Sequence, residues 1–318
     1  MENNSKEIIT KRYMYLILAS YIFLGFIFSR LYDSPSIIKS IFGLSLFLIL
    51  PLETGTFILF LLRRLFNLDI FDQIDFVIRN FFKWVFGIFV LFIIALILYF
   101  LHIFNIGVMS IILFSFCIAN IILSEKKYIR IAPQQFKIII LISILSLIFS
   151  IYFVSYTPFP LGPSWDHFVY GTIAERMIEF NEFHLFTEDY SPTMYLRGFS
   201  LPIFHLNLSI SSFISNSYAI NIFWPGVFML SLIYSLSIFR FIKYFLRSNI
   251  AAIIGVIIGL WALEFSHVNG LSSLVSSSLL MLIFPSFIIW VDKLTKNQEN
   301  KKSLIVLIFF SLLLLIYS

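Results

Sequence analysis

The chain alternates long apolar runs with short polar segments from beginning to end. Most apolar runs hold about 17 to 25 residues, and about 20 helical residues cross a hydrocarbon core of roughly 30 Å. The runs are apolar on every face, unlike the alternating pattern of a membrane β-strand. The pattern predicts an all-α, polytopic transmembrane helical bundle of about nine spans. The predicted spans are 13–29, 41–62, 84–101, 106–123, 138–156, 218–239, 250–263, 271–291 and 303–318.

The longest polar region of the chain, residues 157–217, lies between the fifth and sixth predicted spans. From Trp165 onward, apolar residues recur at spacings of three and four, which predicts an amphipathic interfacial helix on the outer membrane surface. Asp166 lies in its first turn, where the partial positive charge of a helix N-terminus favours an ionised carboxylate. A second helix is predicted over 206–214.

A shorter amphipathic stretch covers residues 66–82, where acidic and apolar residues alternate at helical spacing. This pattern predicts a helix lying in the cytoplasmic interface. We therefore divide the chain into an N-terminal four-span membrane region, 1–137, which includes this helix, and a second membrane region, 138–318, which includes the outer loop 157–217.

Basic residues cluster in every second segment between the predicted spans. With a cytoplasmic N-terminus, eighteen of the twenty-two Lys and Arg residues lie in inside segments, as the positive-inside rule requires. The same topology places all five histidines in outer segments. The pattern predicts a multi-pass protein of the cell membrane with its polar chemistry on the outer face.

Composition agrees with this class, since 60% of the residues are hydrophobic and only 12% are charged, against about 25% in soluble domains. The net charge of +5 is spread over short clusters between apolar runs, so no nucleic-acid partner is predicted. The single cysteine, Cys117, lies inside an apolar run and allows neither an intrachain disulfide nor a cysteine-rich metal site.

The second predicted span contains a carboxylate, Glu53, two residues after Pro51 and near the middle of the bilayer. A charge at that depth costs about 2.5 to 3.5 kcal/mol on insertion scales. Glu53 is therefore protonated, or paired inside the bundle, or located at a break that divides the span into two short pieces. A structural kink at Pro51 and a ligand or proton site explain this pattern equally well.

Three features follow one another in the second membrane region. An acidic residue begins an amphipathic helix in Ser164-Trp165-Asp166-His167-Phe168, an aromatic-Pro-His segment ends in Leu201-Pro202-Ile203-Phe204-His205, and a short outer loop carries Glu264. In this order of elements, residues 138–318 resemble the GT-C class of polytopic glycosyltransferases, which includes protein mannosyltransferases and lipid A aminoarabinose transferases. The four spans before residue 138 are an addition to the class pattern.

The resemblance implies transfer of a sugar from a polyprenyl-phosphate carrier to an acceptor on the extracytoplasmic face. It implies catalytic roles for Asp166, as general base or as ligand of a divalent metal ion beside the leaving phosphate, and for Glu264 as the second acidic group. Both carboxylates also have structural interpretations, because Asp166 can cap its helix and Glu264 can be an ordinary interfacial group. The metal requirement stays open, and no metal ligands are assigned.

The same resemblance implies a substrate-binding set for the carrier and the acceptor. Arginine binds phosphate bidentately, and Arg176 and Arg197 are near enough in sequence to Asp166 to hold the carrier phosphate. Arg176 can equally pair with a glutamate of its own helix. The implied substrate-binding residues are Arg176, Arg197, His205 and Tyr170.

Two other functional classes fit the helix pattern. A transporter would place polar groups at the membrane midplane beside broken helices, to which Glu53 and Pro285 correspond, whereas a non-catalytic membrane protein needs no complete site. Members of the GT-C class continue for several more spans. We therefore expect the chain to be the N-terminal portion of a longer architecture, inactive unless a second polypeptide completes the bundle. The expected partners are membrane lipids and the carrier-linked sugar.

The predicted topology is tested by single cysteines introduced at Ser191 and Ser248 in a Cys117→Ser background. A membrane-impermeant maleimide should modify the first from outside intact cells and the second only in inverted vesicles. Labelling of both positions from the same side would contradict the predicted topology.

Overall fold

The computed structural model describes residues 11–31, 36–66, 76–123, 133–156, 165–184 and 203–265, with single positions between 278 and 311. Within these ranges the chain is all-α and contains no strand, which confirms the predicted fold class at that level. The helices are α1 (Lys11–Leu31), α2 (Ser36–Phe66), α3 (Phe76–Phe100), α4 (Ile106–Leu123), α5 (Pro133–Tyr156), α6 (Trp165–Glu179), α7 (Ile203–Ser215), α8 (Ala219–Leu246) and α9 (Asn249–Phe265).

Three helical segments are long and apolar enough to cross a membrane, namely Ile37–Leu62, Arg79–Phe100 and Ile106–Leu123. Apolar segments of α1, α5, α7 and α9 are shorter. The predicted span 106–123 coincides with α4, whereas the predicted spans 271–291 and 303–318 lie outside the described residues except for single positions. The described ranges are thus helical and contain three candidate membrane spans.

The predicted cytoplasmic interfacial helix, 66–82, corresponds in part to α3. Residues 67–75 lie outside the described ranges, and from Phe76 the chain is helical without interruption to Phe100. Phe81 and Phe82 are buried in the bundle. The last turns of the stretch assigned to the interface therefore begin a long helix, because their aromatic side chains pack against neighbouring helices.

One end of the bundle, which we call the loop end, gathers the turns 101–105, 180–184 and 216–218. Asn181 Oδ1 accepts the Ile106 backbone N–H at 2.9 Å, which brings the second turn to the start of α4. Asn216 Nδ2 donates to the Ser29 carbonyl at 3.2 Å, which brings the third turn to the end of α1. α2 and α8 begin at the loop end, and α1 and α3 finish there, so these helices alternate in direction.

α2 and α3 pack with their backbones in direct contact. A Cβ atom on Gly55 would collide with the Lys83 carbonyl oxygen, and one on Gly87 would collide with the Pro51 carbonyl oxygen. Small residues allow such close approach between membrane helices, where van der Waals packing supplies much of the association energy. The two glycines therefore fix the register of this central pair.

α2 continues through Pro51, which excludes the break in the span that the sequence left open. Proline has no N–H, so the Phe47 carbonyl, four residues earlier, loses its helical hydrogen-bond donor. Asn207 Nδ2 of α7 donates to this oxygen at 2.9 Å, and Trp84 Nε1 of α3 donates at 3.4 Å. The proline defect in α2 is thus the docking point for two other helices.

α7 lies inside the bundle, although it was predicted within the outer loop of interfacial helices. Every residue of α7 except Phe213 is buried, and the helix contacts α1, α2, α3, α4, α6 and α8. Two of its serines bond carbonyls of their own helix, since Ser209 Oγ lies 2.7 Å from the His205 carbonyl oxygen and Ser211 Oγ donates to the Asn207 carbonyl at 2.8 Å. Short, internally bonded side chains let a polar helix pack on all sides.

Replacement of Asn207 by leucine should destabilise the fold by about 1 to 3 kcal/mol, because the Phe47 carbonyl then keeps only the longer bond from Trp84. In a Pro51→Ala background the loss should be smaller, since residue 51 regains an N–H that donates to Phe47. Thermal unfolding of the single and double variants in detergent measures this coupling. Asn221→Leu, at an exposed position of α8, is the control. Equal losses in both backgrounds would contradict the proposed role of the Phe47 carbonyl.

Candidate functional site

The candidate site is built on α6, which begins at Trp165 as the periodicity predicted. Its inner face, with Ile173, Ala174 and Met177, is fully buried, while Glu179 at its end is exposed. The helix therefore has the predicted amphipathic character. It packs against both α7 and α8.

Three of the predicted site residues share this helix. Asp166 lies in the first turn, Tyr170 one turn later, and Arg176 in the last turn. Residues four apart are neighbours on a helix surface, so Asp166 and Tyr170 belong to one face. Arg176 lies ten residues beyond Asp166, or about 15 Å along the helix axis. Asp166 and Arg176 therefore mark the two ends of α6.

α7 holds the second half of α6 through side-chain contacts to its backbone and sulfur. The Ser209 hydroxyl, whose single hydrogen is shared between the His205 and Ala174 carbonyls, lies 3.0 Å from the Ala174 oxygen and 3.3 Å from the Met177 sulfur. Just beyond α6, the Asn181 side chain is bonded to the start of α4. Phe183 packs its ring against Phe92 of α3 with centroids 5.9 Å apart. The C-terminal half of α6 is thus fixed to several other helices.

Glu175 joins α6 to the start of α8. The residue that caps α8, Tyr218, forms no side-chain cap, and the Glu175 carboxylate instead accepts the first N–H of the helix, from Ala219. It also bonds the Ser212 hydroxyl. A carboxylate at a helix N-terminus is stabilised by the unsatisfied N–H groups and by the helix dipole. The sequence pattern did not assign this role, because the acceptor and the helix it caps are 44 positions apart.

Burial raises the pKa of the Glu175 carboxyl above its usual value, and its hydrogen bonds to Ala219 and Ser212 oppose this effect. Two opposing effects therefore act on the ionisation of this carboxyl group. Desolvation disfavours the charged form, and the N-terminus of α8 favours it. In the sequence, Glu175 was only one of the two glutamates of the predicted helix with which Arg176 could pair. Its hydrogen bonds to α7 and α8 give it a structural function at the centre of the loop end.

The remaining predicted site residues lie elsewhere. His205 is on α7 and only 4% exposed, and burial lowers the pKa of its imidazole to about 3, so the ring is uncharged at physiological pH. Glu264 is the penultimate residue of α9, which packs on α8 and α5. Arg197 lies outside the described residues. The structure thus brings α6 and α7 together, with Asp166, Tyr170, Arg176 and His205 on this pair, and places Glu264 on a separate helix.

Comparisons with protein-family models, with curated proteins and with solved structures gave no match. In the part of the chain that the structure describes, no group of three or more His, Cys, Asp and Glu side chains is arranged to hold a metal ion.

The role of Glu175 predicts a specific pH dependence of stability. Because its folded-state pKa is raised, the carboxyl favours folding at pH values below its usual pKa, and this contribution is lost as the pH rises through the raised pKa. Glu175→Gln keeps an acceptor for Ala219 without the charge, so its thermal midpoint at neutral pH should match or exceed that of the unmodified protein. This difference should vanish in acid.

Glu175→Ala removes the acceptor and should cost about 0.5 to 2 kcal/mol, as the loss of a helix cap does. Glu179→Gln, an exposed carboxylate on the same helix, serves as the control and should change neither the midpoint nor its pH dependence. Thermal unfolding in detergent at several pH values measures all three variants. Equal destabilisation by glutamine and alanine at position 175 would disprove the capping role.

Proposed function

We propose that this protein is a GT-C-type membrane glycosyltransferase, which transfers a sugar from a polyprenyl-phosphate carrier to an acceptor on the extracytoplasmic face. The observation that carries the proposal is the position of α6. In the chain, a helix with an acidic first turn follows the apolar helix α5, and its other end is held by contacts to α7, to α8 and, through Asn181, to α4. Such anchoring orients a catalytic side chain, because a group must be held close to its productive geometry.

The proposal includes a bundle of about nine spans with a cytoplasmic N-terminus. The alternating helix directions support it. The loop end gathers the turns that were predicted outside, and the opposite ends of α2, α3 and α8 carry Arg64, Arg79 and Lys243. This distribution of basic residues agrees with an extracytoplasmic loop end under the positive-inside rule.

In the proposed reaction, Asp166 accepts the proton of the acceptor hydroxyl as this oxygen attacks the anomeric carbon of the sugar. The bond between that carbon and the carrier phosphate breaks, and the phosphate leaves with the bonding electrons. Alternatively, Asp166 would hold a divalent metal ion beside the phosphate, and the ion would stabilise the charge of this leaving group. Glu264 remains the candidate second acid, and Tyr170 lies on the same face of α6 as Asp166.

The length of α6 separates the two arginine candidates in this proposal. Arg176 is about 15 Å along the helix from Asp166, farther than a leaving phosphate lies from its own anomeric carbon. We therefore assign the carrier phosphate to Arg197 and assign to Arg176 a role at the C-terminal end of α6, where a cation interacts favourably with the helix dipole.

A transporter is the second candidate function, and the polar interior of the bundle favours it. α7 places His205, Asn207 and several serines among the other helices, and Glu53 of α2 is bonded to Asn120 of α4. Polar groups in a membrane bundle often mark the pathway of a substrate or an ion. Flux of a labelled solute into proteoliposomes without sugar transfer would favour this function.

Asp166→Asn should reduce sugar transfer by about 10²- to 10⁴-fold, the usual contribution of a general base, with helical content unchanged. The assay uses native membranes, which contain the full chain and any partner polypeptide, with labelled polyprenyl-phosphate sugars and extracted acceptor lipids. Circular dichroism of the purified protein monitors the fold. Glu179→Gln, an exposed carboxylate of the same helix, should retain activity and serves as the matched control. Full transfer by the Asp166→Asn protein would remove this residue from the mechanism.

A further inference from the structure

A carboxylate and an amide meet inside the bundle, away from α6. Glu53 of α2 is 3% exposed and Asn120 of α4 is 4% exposed. Asn120 Nδ2 lies 2.6 Å from Glu53 Oε2 and 2.9 Å from the Glu53 backbone carbonyl oxygen. Both residues belong to candidate membrane spans, Ile37–Leu62 and Ile106–Leu123. The sequence allowed Glu53 to be protonated, to be paired inside the bundle, or to lie at a break in the span. The structure shows that it is paired inside the bundle.

The orientation of the Asn120 amide follows from its two contacts. The Glu53 backbone carbonyl can only accept a hydrogen bond, so the Asn120 atom beside it must be the nitrogen and not the amide oxygen. The same nitrogen donates to the carboxyl group. A cation would require the amide oxygen to face the carboxylate, so the observed orientation disfavours a metal or sodium site and leaves a proton as the fitting ligand.

Ionisable groups on the helices packed against α2 set the charge around Glu53. The charge of Lys83 on α3 acts on Glu53, and the charge of Glu53 acts on the buried Cys117 thiol of α4. The ionisable side chains described on the helices that contact α2 are Arg79, Lys83 and Tyr99 on α3, Cys117 on α4, His205 on α7, Tyr21 and Arg30 on α1, and Tyr234, Arg240, Lys243 and Tyr244 on α8. The partner in direct contact with the carboxyl, Asn120, is uncharged.

We propose that Glu53 is a reversible proton-binding site inside the membrane, with Asn120 as its fixed hydrogen-bond partner. Oε2 accepts the amide hydrogen whether or not the carboxyl group is protonated, so a proton binds and leaves at Oε1 without breaking the contact between α2 and α4. The proton exchanges with water at the end of the bundle where α2 finishes and α3 begins. Neutralising a carboxylate at this depth removes the cost of a buried charge.

Two further features distinguish this site from a purely structural contact. A fixed amide on a rigid backbone position holds the carboxyl in one orientation in both protonation states. The charge of Lys83 compensates the charge of the ionised form. The site is independent of the proposed glycosyl transfer at α6, and its failure would leave that proposal intact.

The hydrophobic reagent dicyclohexylcarbodiimide tests the proposal, because it modifies protonated carboxyl groups in apolar surroundings. The purified full chain in liposomes is treated between about pH 5 and pH 9, and modification of Glu53 is quantified by peptide mass spectrometry. Labelling should fall about tenfold for each pH unit once the carboxyl group ionises. Glu179, which is exposed, should resist this reagent and serves as the internal control.

Removal of the amide provides the second arm of the experiment. Asn120→Ala should extend the labelling of Glu53 to higher pH, because the ionised form loses a hydrogen-bond donor. Ser115→Ala, at an exposed position of the same helix, should leave the profile unchanged. Infrared difference spectra of the unmodified protein and Glu53→Gln should show a carboxylic-acid band at low pH that disappears at high pH.

Three results would overturn the proposal. Labelling of Glu53 that does not vary with pH would leave only a structural contact. So would infrared difference spectra in which the carboxylic-acid band is absent at all pH values. Protection of Glu53 when choline chloride is replaced by sodium chloride would instead identify a cation site.

Discussion

The Phe47 carbonyl oxygen lies in the middle of a buried helix without its helical donor, because residue 51 is proline. An unpaired carbonyl inside an apolar bundle is costly, and this oxygen accepts hydrogen bonds from Asn207 and Trp84. These contacts attach α7 and α3 to the same point of α2. Much of the bundle depends on this arrangement, since α7 in turn supports α6 and contacts α8.

Polar contacts in the interior repeat this principle in several places. Asn120 bridges α4 to α2, and the Ser146 hydroxyl donates to Ser235 at 3.0 Å between α5 and α8. Interhelical hydrogen bonds in membranes contribute about 0.6 to 2 kcal/mol each, so no single one holds the fold. Together with glycines that bring α2 and α3 into backbone contact, they define which helix faces are adjacent.

The loop end holds the second half of α6 through several contacts. Glu175, Ser209 and Asn181 attach the second half of the helix to α8, α7 and α4. The first half carries Asp166 and Tyr170, the residues that the resemblance to GT-C glycosyltransferases implicates. A catalytic group on the first half would thus be carried by a helix that is fixed at its other end. The buried Glu53 site belongs to a different part of the bundle.

The all-helical fold class, the limits of α4 and the start of α6 could be predicted from the sequence, because apolar run length and helical periodicity are local properties. It also identified Glu53 as an unusual carboxylate, but the partner of this residue, 67 positions away, emerged only from the packing of α4 on α2. The burial of α7 and the capping role of Glu175 were likewise decided by tertiary structure. The sequence shows which residues are polar. It does not show their hydrogen-bond partners, because these partners lie on helices that are distant in the chain.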